Sequence, residues 1–231
     1  MRPKNLLLPI FSALILLAGF GCATAPPVGK KQAQGLEMES KAAEAFRQGQ
    51  YARALQYYQR ALRAFESIDS REGVARNLTG LGTAYQAMGR NAAALELYQR
   101  ALAIYQDTGD EAGISLNLNH VGSVTLSLGK PREALEFFQR SLAMEEKRGD
   151  APGQALCWNN LGRAYREMGE NDRALECYLR SKTLNEKSGN LSGIADNLNN
   201  LGAVYESRKD WDRALEAYQK ALELDKKAEN S

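Results

Sequence analysis

Asn119, Asn159 and Asn199 fall in one column when the 231-residue chain is written in rows of 40. A carboxamide donates and accepts at once, so a row of them can pair with the main chain of an extended peptide with little regard to its side chains. A single Asn in a helix is ordinarily solvated or a cap. Three at one register position suggest a binding ladder, and structural bonds between adjacent helices are the other reading. Arg163 and Arg166 could add a contact to a partner carboxylate, although each taken alone also reads as a solvated helix charge.

No other constellation points to chemistry. The one histidine of the chain, His120, makes neither a multi-His metal cluster nor a catalytic pair. Gly80-Leu81-Gly82 lacks both a preceding strand and a third Gly, so it is not a nucleotide loop. Glu96, Glu136, Glu176 and Glu216 share a repeat column, which is the pattern of a solvated face. No catalytic residue, metal or cofactor is expected.

The elements that carry these residues follow from the register. Leu81-Gly82, Val121-Gly122, Leu161-Gly162 and Leu201-Gly202 align without a slip, and such a period marks a stacked solenoid. A short Gly turn is seen at Gly49, Gly89, Gly129 and Gly169. A second turn follows, of the kind Asp107-Thr108-Gly109-Asp110, Lys147-Arg148-Gly149-Asp150 and Lys187-Ser188-Gly189-Asn190, in which Gly caps one helix and Asp or Asn starts the next. Between turns the apolar residues keep helical spacing, as in Ala134, Leu135, Phe138, Ser141 and Leu142. The spacing predicts ten helices and no sheet.

Gly82, Gly122, Gly162 and Gly202 sit within first helices, where Gly costs about 1 kcal/mol against Ala, and close helix packing is the expected reason. Ala54, Ala94, Ala134, Ala174 and Ala214 would supply the opposing small surface, with Tyr85, Tyr165 and Tyr205 as the bulk beside it. Leu-Gly-x-x-Tyr, then Gly, then Ala-Leu-x-x-Tyr/Phe, then a small residue, resembles the tetratricopeptide repeat family. The 40-residue period and the nearly whole Leu-Asn-Asn-Leu-Gly at Leu118–Gly122, Trp158–Gly162 and Leu198–Gly202 are similar to the longer repeats of kinesin light chains and of Gly-Leu-Asn-type scaffolds.

The resemblance implies an all-α, right-handed superhelix of about five helical hairpins, an α-α solenoid over residues 36–228, with repeats near 36–69, 70–109, 110–149, 150–189 and 190–228. It also implies a concave groove that binds peptide or protein segments. The columns facing that groove in the family are here Thr79, Asn119, Asn159 and Asn199; then Gly80, His120, Asn160 and Asn200; then Thr83, Ser123, Arg163 and Ala203. An inner column of Asn77, Asn117, Cys157 and Asn197 fits between repeats, where a buried amide must find partners or cost about 1 to 3 kcal/mol. Trp158 reads as core, with a floor for a bound side chain as the alternative. Lys209 stands where the other rows carry the turn Gly. No capping helix is recognisable after Leu224, so an apolar face could serve a homodimer.

The segment 1–21 differs from the rest. Arg2 and Lys4 precede an apolar stretch from Leu6 to Ala18, the pattern of a signal peptide and shorter than a membrane span of about 20 residues. Cys22, after Gly21 and before Ala-Thr and a Pro-containing stretch, resembles the lipidated Cys of bacterial lipoproteins; Gly19 replaces that family's usual Leu. Ordinary signal cleavage near Ala25 and an uncleaved anchor are the other readings. The resemblance implies a lipid anchor at Cys22, a flexible tether over residues 22–35, and an outer-membrane lipoprotein of the bacterial cell envelope that faces the periplasm.

Charge excludes another class of partner. The chain has 30 Lys+Arg and 28 Asp+Glu; without Arg2 and Lys4 the balance is 28 against 28, with no basic stripe for nucleic acid. Cys157 and Cys177 remain as an even pair, open to a disulfide or simply two semi-buried helix residues. The function these readings converge on is a membrane-tethered interaction scaffold for an unidentified protein or peptide, with a self-associating envelope spacer as the alternative.

Overall fold

A computed structural model describes residues 28–229. The segment 1–21 expected as a signal peptide and the expected lipidation site Cys22 lie outside them. Ten helices and no strand occur among the described residues: α1 (Val28–Arg47), α2 (Tyr51–Glu66), α3 (Arg71–Ala87), α4 (Asn91–Thr108), α5 (Glu111–Ser127), α6 (Pro131–Arg148), α7 (Ala151–Glu167), α8 (Asn171–Ser188), α9 (Leu191–Ser207) and α10 (Trp211–Glu229). They pair as five antiparallel hairpins. One boundary differs from expectation: α1 begins at Val28, so residues 28–35 are helical rather than part of a flexible tether. Gly35 is buried there because the Phe65 ring lies over it, 2.8 Å from where a Cβ would stand.

The helix ends have local causes. Ser70, Asp110, Asp150 and Asn190 accept from the backbone N–H of Gly73, Gly113, Gly153 and Gly193 at 3.3, 3.0, 3.2 and 3.1 Å, which satisfies one of the free donors at each N-terminus. Gly109, Gly149 and Gly189 close α4, α6 and α8 in the left-handed conformation. At two turns a residue other than Gly takes that conformation, Asp69 with φ 53° and Lys209 with φ 63°.

Curvature follows from which helices touch. Each helix packs on the next in sequence, and α1, α3, α5, α7 and α9 also contact one another in succession, whereas no two of α2, α4, α6, α8 and α10 do. The first helices of the hairpins therefore form the tighter inner layer. Between the layers Tyr98, Phe138 and Tyr178 are fully buried along with Leu78, Leu118, Val121 and Val204.

The buried Gly column works differently from expectation. A Cβ on Gly82, Gly122, Gly162 or Gly202 would stand 2.6 Å from a ring carbon of Tyr98, Phe138, Tyr178 or Tyr218 respectively. The glycines make room for the aromatic ring four residues after each second-helix Ala. That ring, rather than the Ala itself, is the opposing surface.

Candidate functional site

The inner layer is stitched by one recurring bond. Asn77 Nδ2 donates to Glu39 Oε1 at 2.7 Å, Thr79 Oγ1 donates to Asn117 Oδ1 at 3.1 Å, Asn119 Nδ2 donates to Cys157 Sγ at 3.1 Å, and Asn197 Nδ2 donates to Asn159 Oδ1 at 3.2 Å. Each pair is 38 residues apart, so the same two columns meet at every junction of first helices. The chemical types vary while the register holds. Asn77 and Asn117 also donate to the carbonyls of Gly73 and Gly113 at 2.8 and 3.0 Å, one turn back in their own helices.

Asn119 is buried, donates to Ser141 Oγ at 2.5 Å and accepts from Asn160 Nδ2 at 3.2 Å, so its amide faces the repeat junction instead of a ligand. Asn160 is buried with it, and Thr79 is buried in the preceding junction. Asn159 is half-buried, and its carbonyl also accepts from Asn200 Nδ2 at 2.9 Å. Asn199, with no first helix beyond α9 among the described residues, is exposed. The bonds of Asn119 thus run between adjacent first helices, the alternative to a peptide-pairing ladder, and Asn160 of the neighbouring groove column is held in the same junction. The inner column of Asn77, Asn117, Cys157 and Asn197 is buried at the junctions.

What remains open on the inner face is a different set. Leu116 and Leu156 are exposed at 43% and 46%, in a column completed by Arg76 and Asp196. Two exposed leucines in one column of a concave surface are an apolar strip for a partner side chain. The register carries only a partial signal for them, Arg76 and Asp196 standing in the same column. Beside Leu156 a polar cavity of about 200 Å³ opens between α7 and α9, lined by Asn159, Asn185 and Asp196 among others. Burial raises the Asp196 carboxyl above its usual range, and Asp225 adds to the effect.

Further along the groove, His120 stacks on Tyr98 with ring centroids 4.6 Å apart. Burial lowers its pKa to about 4, so the imidazole is neutral at pH 7. Tyr98 Oη donates to Gln86 Oε1 at 2.9 Å, and Gln86 Nε2 donates to Ser123 Oγ at 3.1 Å, which binds α3, α4 and α5 together beneath the groove. Arg163 and Arg166 are half-buried on α7; Arg163 Nη1 donates to Asn160 Oδ1 at 3.4 Å, and Arg166 pairs with Glu167 at 3.6 Å.

Cys157 and Cys177 are free thiols in one core cluster, and burial pushes the Cys177 thiol up to about 11. Trp158 packs on that cluster, with the Arg180 guanidinium 4.6 Å from its ring centroid.

The tetratricopeptide repeat model matches residues 38–107, 113–187 and 158–227. Solved structures give the same fold. BtubC from P. vanneervenii is 20% identical, with 88% of this chain and 91% of that chain covered at a TM-score of 0.68. The nearly identical TPR-like repeats of a protein assigned as a kinesin light chain from Podosopora anserina are 18% identical, with 90% and 100% covered at 0.64. The Rap conjugation gene regulator of plasmid pLS20, solved with the Phr* peptide, is 16% identical, with 94% of this chain but 60% of that chain covered at 0.76. No curated protein matches the sequence.

Proposed function

The chain belongs to the tetratricopeptide repeat family, an interaction scaffold fold, and we propose that it binds an extended or helical segment of a partner protein along the inner face of α3, α5, α7 and α9. The observation that carries this reading is the exposed pair Leu116 and Leu156, held on a rigid inner layer and flanked by His120, Arg163 and Asn199. Rigid presentation lowers the ordering cost of binding, which is what a repeat groove contributes to affinity. The Rap regulator, likewise built of such hairpins, was solved with a peptide. Placement at a membrane through acylated Cys22, in a bacterial envelope, rests on the sequence pattern of residues 1–22 alone.

Affinity capture from a membrane extract tests the groove. The double variant Leu116→Ser and Leu156→Ser should lose the captured partner while keeping its melting temperature; unchanged capture refutes the reading. Cys22→Ser should release the full-length protein from the membrane fraction, and persistent association refutes the lipid anchor.

One observation favours self-association as a second reading. On α10, Trp211, Leu215 and Leu222 are exposed at 60%, 58% and 55%. Equivalent leucines at Leu135 and Leu175 are partly buried under the next hairpin. A monomer at micromolar concentration by sedimentation argues against it.

A further inference from the structure

The second helices carry another column, Phe65, Tyr105, Glu145 and Asn185, whose side chains lie over Gly73, Gly113, Gly153 and Gly193 of the helix that follows. Two aromatic rings and a Glu fill the first three junctions and are buried there. Asn185 is the shortest of the four, so its junction is filled least. The cavity of about 200 Å³ between α7 and α9 lies at that junction, with Asn185 and Gly193 in its lining.

The lining is chemically two-sided. The helix α7 contributes Pro152, Ala155 and Leu156, and α9 contributes Ser192 and Asp196. Amides between them are fixed in orientation: Asn190 Nδ2 donates to Asn185 Oδ1 at 3.0 Å, Asn185 Nδ2 to Asn197 Oδ1 at 2.9 Å, and Asn197 Nδ2 to Asn159 Oδ1 at 3.2 Å. Asn185 and Asn190 each use one of two amide hydrogens in these bonds, which leaves a donor on each. Asp196 supplies acceptors, and the charge acting on it is another carboxylate, Asp225, so anions are repelled.

We propose that this cavity is a binding site for one pyranose ring of a neutral saccharide. A sugar hydroxyl donates and accepts at once, so one set of hydroxyls can donate to the Asp196 carboxylate and accept from the Asn185 and Asn190 amides. The C–H face of the ring covers the side made by Pro152, Ala155 and Leu156. A bare ammonium would answer Asp196 but leave the amide hydrogens without acceptors, and an apolar ring would leave every polar group unmet. The volume falls below the range of about 300 to 1,000 Å³ for sites of drug-sized ligands, which limits the occupant to a single ring. Because the amides are locked by their own bonds, little ordering opposes binding.

The full chain is titrated with glucose, galactose and mannose, with their methyl β-glycosides, and with cyclohexanol and methylamine, and binding is read by calorimetry and by the amide signal of Gly193. The best sugar should bind with a Kd of about 1 mM, about tenfold more tightly than cyclohexanol or methylamine. A free sugar bound without its glycoside identifies a free monosaccharide as the ligand, and binding of both identifies a ring held within a glycan. Asn185→Tyr places in the cavity the side chain that Tyr105 provides two hairpins earlier, over a Gly193 that already leaves room for it. It should weaken sugar binding by about tenfold or more while keeping the melting temperature. Asp196→Asn, at an exposed position, should weaken binding about tenfold and decides the matter alone if Asn185→Tyr melts early. Binding of no sugar overturns the site, as does unchanged binding by both variants. Equal binding of cyclohexanol overturns the role of the hydroxyls, and tighter binding of methylamine overturns the choice of a neutral ligand.

Discussion

The imidazole of His120 lies parallel to the ring of Tyr98, with an interplanar angle of 4° across the junction of α4 and α5. This contact ties the groove surface to the buried aromatic column, and it makes His120 a reporter of packing. Because it is the only histidine in the chain, its titration can be followed without assignment. Its carbon-bound proton signals should shift with a midpoint near pH 4, against about 6.5 for a free imidazole. A midpoint near 6.5 would show that the stack is open in solution.

The linked stability effect has a definite sign. The folded pKa lies below the unfolded value, so the unfolded chain takes up the proton first. His120 therefore withdraws stability as the pH falls from about 6.5 toward about 4, and its contribution is constant above that window. His120→Gln should flatten the dependence of melting temperature on pH within that window. An unaltered slope contradicts the assignment.

Gly82→Ala should destabilise the chain by about 2 kcal/mol in urea unfolding, although Ala is the better helix former. The added methyl meets the rigid Tyr98 ring at 2.6 Å, and overpacking of this kind costs about 1 to 3 kcal/mol. A stabilised variant would mean that the ring moves freely.

Asn119→Ala and Asn199→Ala should behave differently despite sharing a column. The first leaves the Asn160 amide without its acceptor in a buried junction and should cost about 1 to 3 kcal/mol. The second removes an exposed amide and should leave stability within about 0.5 kcal/mol. Equal losses would contradict the stitched inner layer.

Lys209→Gly should stabilise by about 1 kcal/mol, read as a higher urea midpoint. Lys209 sits at φ 63°, where Gly49, Gly89, Gly129 and Gly169 stand in the other rows, and a β-carbon there carries a steric cost. A loss of stability would point to a contact of the Lys side chain that outweighs its strain.

The sequence register carried the fold almost whole, because helix starts, Gly turns and the ring-on-Gly contact all repeat with the same period. It did not separate the two sides of a first helix that meet a neighbouring repeat and a ligand. Thr79, Asn119 and Asn159 lie at the border between those sides, and a polar residue suits either environment, so the family's groove-facing columns include them although the junction can hold them equally well. Hairpin curvature decides the matter by drawing first helices close enough for Asn119 to reach Cys157. Leu116 and Leu156 are hard to place from sequence for the converse reason. Leucine on a helix reads as core until the packing shows which stripe is covered. The start of α1 was hidden by Gly29 and Gly35, which resemble linker residues until Phe65 is seen to lie over the second of them.

The 38-residue bonds run along one side of the array only, and this makes its bending asymmetric. Uncurling the superhelix pulls first helices apart and loads every one of those bonds at once. Tighter curling compresses the bonded layer and separates second helices that share no direct contact. The array is in this respect a leaf spring with its stiff leaf on the inside, and a ligand that spans several first helices adds a further leaf to that side.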